Sequence, residues 1–313
     1  MNQIRAVVVD PTASGRLAVR NVAAPSAGGS EAMIRVRAIS LNLGEIRRAR
    51  AAQAGWRPGW DVAGVVEAAA ADGSGPKAGA RVVGFLPVAA WAELLAIPTG
   101  SLAAIPDSIS FEAAATLPVA GMTALYALGK NGSLLGRPVL ITGASGGVGQ
   151  FAVQLAQLSG ARVVACVSRA ERAKYARDCG ADEVLVGNDP EGASRFGPYH
   201  LILESIGGKS LAAALSMLRP AGMCVLFGTS DTPEVTFDAR QFYSGAGILY
   251  GFILFDEVKR ESAAQGLARL VSLMAAGRLR SPIEVRGSWN EIGKFAERLW
   301  NREIAGKVVL SID

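Results

Sequence analysis

The stretch from Pro138 to Gln157, "PVLITGASGGVGQFAVQLAQ", constrains the fold of this chain more than any other. An apolar run ending near Thr142 has strand character, and after Gly147 the apolar residues recur at i, i+3 and i+4, the period of an amphipathic helix. Four glycines crowd the few residues between. A strand turning so tightly into a helix, with strand and helix alternating after it, reads as the start of a βαβ unit in a parallel sheet. The sequence that follows keeps the alternation: "RVVACV", "ERAKYARDCG", "EVLV", "HLILES", "SLAAALSML" and "MCVLFG" read in turn as strand and helix.

Upstream the texture differs. From residue 4 to about residue 110, short β-type runs ("AVVV", "MIRVRAIS", "DVAGVVEA", "RVVGFL", "WAELLAI") are broken by Gly and Pro and read as a small barrel. A helical stretch, "FEAAATLPVAGMTALYAL", interrupted at Pro118, links the two textures. The last part, with "ESAAQGLARLVSLMAAG", "PIEVRGSW", "NEIGKFAERLW" and "GKVVLSI", returns to the first texture. A chain of 313 residues exceeds what one hydrophobic core usually serves. The expected fold class is α/β in two domains: a β-rich domain over 1–117, a parallel-sheet domain over 118–255, and a return over 256–313 that completes the first.

Composition removes several classes of function. The 32 Lys and Arg are scattered and the net charge is +5, so no nucleic-acid surface is expected. No apolar stretch is long enough to cross a bilayer, and "MNQIRAVVVDP" reads as a strand rather than a leader, so a cytoplasmic protein without membrane partners is expected. Cys166, Cys179 and Cys224 lie apart and form no C-x-x-C pair, which suggests neither a disulfide framework nor a structural zinc site.

The glycine turn has a direct physical reading, because backbone N–H groups at a helix N-terminus attract anions. Gly146 lets the backbone approach a pyrophosphate, Gly149 lets the helix pack on its strand, and Ala144 replaces the first glycine of G-x-G-x-x-G; Ser145, Gly147 and Val148 complete the cradle. Dinucleotide binding follows. An NAD site would carry a carboxylate at the end of the next strand, but "ACVSRAER" places Ser168 and Arg169 there, with Arg172 after them, so the expected cofactor is NADPH. Tyr126 and Lys130 mimic the Y-x-x-x-K of short-chain dehydrogenases, yet they precede the glycine turn, and that order excludes the family.

Seven segments in order, "ISLNLGEIRRAR", "RPGWDVAGVVE", "GARVVGF", "LPVAGMTALYAL", "TGASGGVGQFAVQLA", "ESIGG" and "AGKVVL", resemble the medium-chain dehydrogenase/reductase superfamily across essentially the whole chain. Within it the chain is similar to the zinc-free, zeta-crystallin-like quinone oxidoreductases. The resemblance implies a GroES-like substrate domain, a Rossmann NADP-binding domain and an active site between them. It also implies hydride transfer from NADPH to a small-molecule quinone or enone, in a homodimer whose Rossmann sheets pair edge to edge; "GILYGFILF" is either that edge or an internal strand. Zinc-dependent members carry a Cys in the first segment and G-H-E in the second. Here Leu41-Asn42-Leu43 and Gly59-Trp60-Asp61 stand instead, so no metal is expected and Asp61 reads as a structural hydrogen-bonding residue.

The resemblance also implies site residues. Asn42 lines the cleft, either as a donor to the developing oxyanion or as a turn-capping Asn. Thr123 falls near the nicotinamide. Glu45 is either the proton donor or an exposed helix-start carboxylate. By topology, Ser205 and Ile206, Gly228 and Thr229 stand at strand ends that should face the cofactor, and Phe252 and Lys307 join them in the cofactor set. His200, the only histidine, is given no role. Two rival readings stand beside this one. In the first, the chain is an enoyl-thioester reductase using Arg47, Arg48 and Arg50 as a basic groove. In the second, it is a non-catalytic protein that senses NADPH or binds a partner.

Overall fold

The computed structural model describes residues 3–187 and 190–313. The chain divides into two units, one formed by the residues up to Met122 together with Val258–Asp313, the other by Thr123–Glu257.

The second unit is a six-stranded parallel sheet, built in chain order from Pro138–Ile141, Arg162–Val167, Glu183–Val186, Tyr199–Glu204, Leu218–Leu226 and Ile248–Gly251. Side by side, the strands stand third, second, first, fourth, fifth, sixth. The strands nearest the middle are buried on both faces, which is why "YHLILE" runs without a polar-out alternation. Their core is filled by Leu140, Val164, Ile202, Leu211, Leu215 and Cys224. Strand order reverses between the first and fourth strands, the switch point at which an open sheet of this kind leaves a crevice at its carboxyl ends. Among the described residues Ile248–Gly251 pairs on one side only, so "GILYGFILF" supplies an edge, and Ile248 and Leu249 are each 40% exposed.

The first unit is organised around the strand Glu31–Leu41. Two register shifts, at Met33/Ile34 and Val36/Ala38, bend it, since an extra residue on one strand kinks the pair. Its first half pairs with Leu94–Pro98 and its last residues with Lys307–Ser311. The main path runs Ile283–Ser288, Lys307–Ser311, Glu31–Leu41, Asp61–Ala68, Arg81–Phe85, Leu102–Ala104. Among the described residues these pairings form a bent sheet that branches at Glu31–Leu41. Gln3–Val9 and Leu17–Ala23 form a separate antiparallel ribbon. Trp91 and Trp289, both 0% exposed, pack in the core with Ile34, Ile39 and Leu41.

Pro118 shapes the approach to the second unit. Lacking an N–H, it sits in a widened π-type turn, Leu117–Gly121, between the helices Phe111–Ala115 and Met122–Leu128. The N–H of Val119 leaves the helical ladder and donates to Asp61 Oδ1 at 2.9 Å.

Candidate active site

In the first unit three strands bring one end each to the same place. Ser40 pairs with Asp61 across the sheet and Leu41 with Val308, so Asn42, Asp61 and Lys307 become neighbours although they lie far apart in sequence. Asn42 is the N-cap of the helix Leu43–Ala51, and Glu45, three residues on, closes back on it: Glu45 Oε2 accepts from the Asn42 N–H at 2.7 Å. Asn42 Nδ2 donates to Glu45 Oε2 at 3.0 Å and to Asp61 Oδ2 at 2.8 Å. Lys307 Nζ donates to the Leu41 carbonyl at 2.9 Å, to Asn42 Oδ1 at 2.5 Å and to Asp61 Oδ2 at 3.2 Å, and Ser40 Oγ adds a bond to Asp61 at 3.2 Å.

This cluster changes three expectations. Both N–H groups of the Asn42 amide are taken by carboxylates, and reversing the amide would turn its oxygen towards them, so the side chain has no N–H left for an oxyanion. Glu45 is not an exposed helix-start carboxylate: it is 0% exposed, drawn inward by its bonds to Asn42. Lys307, 2% exposed, has all three ammonium hydrogens on protein oxygens, so none is left for a cofactor phosphate. Asp61, read as structural, is 0% exposed and collects bonds from Ser40, Asn42, Lys307 and Val119.

Burial, reinforced by the charge of Asp61, raises the pKa of Glu45 well above the ordinary 4.5; Lys307 and Asn42 oppose the rise without cancelling it. The folded state therefore holds a proton here more tightly than the unfolded chain. Stability from this group is full below the unfolded pKa and is lost as pH rises through the folded value. Glu45→Gln, which keeps an acceptor for Asn42 and cannot ionise, is expected to flatten the fall in melting temperature with rising pH. Parallel melting curves of the two proteins across that range check it, and identical slopes would refute it.

The second unit carries the glycine turn. The helix Gly147–Leu158 opens with a bond from the Gln150 N–H to the Gly146 carbonyl at 2.9 Å, which leaves the N–H groups of Gly147, Val148 and Gly149 outside the ladder. Ala144 is tied by its N–H to the Cys166 carbonyl on the neighbouring strand at 2.9 Å, and the Ser145 carbonyl accepts from Gln150 Nε2 at 2.9 Å. A Cβ on Gly149 would lie 2.3 Å from the Gly143 carbonyl oxygen, so only glycine lets helix and turn meet.

The other expected positions lie at the carboxyl ends of the same sheet. Ser168 and Arg169 follow the second strand and are exposed, with Arg172 half-buried one turn on and no carboxylate at the strand's end. Ser205 and Ile206 follow the fourth strand; Gly228 and Thr229 follow the fifth. These two turns are joined, the Ser230 N–H reaching the Ser205 carbonyl and the Asp231 N–H the Ile206 carbonyl, both at 2.9 Å. Phe252, 5% exposed, follows the sixth strand and binds the Leu226 carbonyl through its N–H at 2.9 Å. Thr123 is buried at the start of the unit. His200 packs against Asn131, with Nε2 2.7 Å from its carbonyl, and burial lowers its pKa. Sequence reasoning passed over Glu204 and Thr142 at the strand ends. Their one visible signal was a carboxylate closing an otherwise apolar strand.

Residues 28–107 match the alcohol dehydrogenase GroES-like domain, and 147–272 match the zinc-binding dehydrogenase family. A quinone oxidoreductase of Pseudomonas aeruginosa is 30% identical over 298 residues, covering 90% of this chain and 91% of that protein. The chain belongs to the medium-chain dehydrogenase/reductase superfamily, in its quinone oxidoreductase branch. As a member of that superfamily it is an α/β oxidoreductase with a GroES-like unit and a Rossmann-type parallel-sheet unit. The mycobacterial Rv1454c structure, complexed with NADPH, superposes with a TM-score of 0.87 at 26% identity, covering 99% of this chain and 100% of that one. The spectinabilin polyketide synthase protein NorB of Streptomyces orinoci is 35% identical over 86% of this chain, which spans only 12% of NorB's length.

One matched family is described as zinc-binding, and the donor set does not fit that ion. Among the described residues no three His, Cys, Asp or Glu converge to hold a metal, and the acidic pair Glu45 and Asp61 is occupied by Asn42 and Lys307. No helix among the described residues is long and apolar enough to cross a membrane.

Proposed function

We propose that this protein is an NADPH-dependent, zinc-independent reductase that delivers hydride to a quinone or to an activated alkene such as an enone. The observation that carries the reading is the exposed guanidinium of Arg169, beside Ser168, at a strand end where an NAD site would place a carboxylate, next to a glycine turn with N–H groups outside the helical ladder. The turn fits a pyrophosphate, and Arg169 and Arg172 fit a 2'-phosphate, which a guanidinium binds with paired donors. The NADPH complex of the mycobacterial relative supports the same cofactor.

When bound, such a cofactor supplies the hydride. The chain's own residues favour an acceptor already activated by conjugation: the N–H donors of Asn42 and Lys307 are engaged, and Glu45 is too deeply buried to touch a substrate. The proton would come from solvent rather than from these engaged or buried side chains. The edge strand Ile248–Gly251, with Ile248 and Leu249 partly exposed, suits edge-to-edge pairing in a cytoplasmic homodimer.

Fluorescence titration tests the cofactor. Arg169→Ala with Arg172→Ala is expected to weaken NADPH by about 10- to 100-fold, as loss of charge-assisted bonds does, and to leave NADH unchanged. Failure of the parent protein to bind either nucleotide would sink the assignment and favour the partner-binding reading.

The NorB likeness favours a second reading, in which the alkene is an enoyl thioester. Arg47, Arg48 and Arg50 are exposed on the helix Leu43–Ala51, although Arg48 lies 5.1 Å over Trp60 and Arg50 4.5 Å over Trp300. Rates on a free enone and on the matching thioester separate the two.

A further inference from the structure

We infer that Glu204 is a positioning residue of the nucleotide site, holding three strand-end turns in one hydrogen-bonded frame; the inference rests on the dinucleotide reading above. Glu204 closes the fourth strand of the parallel sheet and is 0% exposed. The groups that reach its carboxylate are uncharged donors. Oε1 accepts from Ser210 Oγ at 2.8 Å, from Thr142 Oγ1 at 3.2 Å and from the Ile206 N–H at 3.1 Å. Oε2 accepts from the N–H groups of Ile206 at 3.0 Å and Gly207 at 2.9 Å. Burial raises the Glu204 pKa, and these bonds oppose the rise.

A carboxylate without a cation is a costly residue for the interior, and an apolar side chain would suit a strand buried along its whole length. What the carboxylate adds is geometry. By binding two successive N–H groups it folds the backbone after the strand into a fixed turn, entered through Gly207 at φ +85°, where a Cβ would lie 2.1 Å from the Thr232 carbonyl oxygen. That turn then anchors the next one through the bonds from Ser230 and Asp231 to Ser205 and Ile206. Thr142 extends the frame the other way: its hydroxyl accepts from the Ser205 N–H at 3.0 Å and stands immediately before Gly143, the entrance to the glycine turn. One carboxylate thus ties together the turns that carry Gly143 to Gly149, Ser205 to Gly207, and Gly228 to Ser230.

The role is one of acceptor geometry rather than charge. A Gln carbonyl can take the Oε2 position, and its NH2 can face the Ser210 and Thr142 hydroxyls, which reverse to accept. Four variants test this by NADPH titration and thermal melting: Glu204→Gln, Glu204→Leu, Thr142→Val, and Leu215→Ala as a core variant of the same unit. Relative to the parent Kd, Glu204→Gln is expected to stay within about threefold, Glu204→Leu to weaken binding by about thirtyfold, and Thr142→Val by about tenfold. Leu215→Ala should lower the melting temperature and leave Kd unchanged. A folded Glu204→Leu protein with the parent's Kd overturns the inference, as does equal weakening by Leu215→Ala. If Glu204→Leu does not fold, Thr142→Val decides in the same way. Absence of NADPH binding by the parent, measured first, marks failure of the dinucleotide reading itself.

Discussion

Lys307→Met is expected to lower the melting temperature of the protein by about 10 °C. The substitution keeps most of the aliphatic stem and deletes the ammonium that binds Asp61, Asn42 and the Leu41 carbonyl. Asp61 is 0% exposed, and removing one partner of a buried ion pair leaves the other charge stranded, at a cost of about 3–5 kcal/mol. In a domain of this size each kcal/mol moves the melting point by about 2–4 °C. Calorimetry of Lys307→Met, alone and combined with Asp61→Asn, checks the cause as well as the size. The double variant should recover most of the loss, because a neutral side chain at 61 no longer needs the ammonium, its one carbonyl oxygen still accepts from Val119, and the Ser40 hydroxyl can turn to accept from its NH2. A single variant that melts within about 2 °C of the parent contradicts the account.

The second large effect is expected at the glycine turn, where two glycines do different work. Gly149→Ala should lower both stability and affinity for NADPH, the latter by about 100-fold or more, because the new Cβ meets backbone on all sides: 2.3 Å from the Gly143 carbonyl oxygen, 2.6 Å from Ala144 Cα and 2.8 Å from its carbonyl carbon. Nothing there is the end of a flexible side chain, so the helix must move off the turn. Gly146→Ala meets only the Gly143 carbonyl oxygen, at 3.3 Å, and should melt close to the parent while losing NADPH, since the methyl occupies the approach a pyrophosphate needs. Titration and melting of the pair separate a packing glycine from a ligand glycine. Equal behaviour of the two in both assays would remove that distinction.

Local signals were legible in the sequence wherever they sufficed. "DVAGVVEA" is the strand Asp61–Ala68, and the helix after the glycine turn begins at Gly147 as its apolar period required. The ribbon strand Leu17–Ala23 was not legible, because Arg20 and Asn21 break its alternation and only pairing with Gln3–Val9 makes it a strand. The polar cluster was hidden for a related reason. Asp61 and Lys307 meet across 246 positions of sequence, and although Glu45 stands at capping-box spacing from Asn42, nothing near Asn42 announces that Asp61 claims its amide as well. Glu45 looked like a solvated helix-start acid because first-turn acids usually are; its burial is set by strands that sequence proximity does not reveal. Glu204 looked like any polar residue closing a strand, and its weight comes from Thr142, 62 positions earlier.

The strand Lys307–Ser311, paired with Glu31–Leu41, has a consequence for how this molecule is made. Lys307 reaches back 266 positions to the Leu41 carbonyl, whereas every strand of the parallel sheet lies between Pro138 and Gly251. As the chain leaves the ribosome, the later-starting unit has all its strands first, and the unit begun earliest waits longest for its last one. Until then the end of that strand, Ala38 to Leu41, presents an unpaired edge, the kind of surface that recruits foreign strands and engages chaperones. The folding of this protein is therefore expected to be limited by a long-range closure.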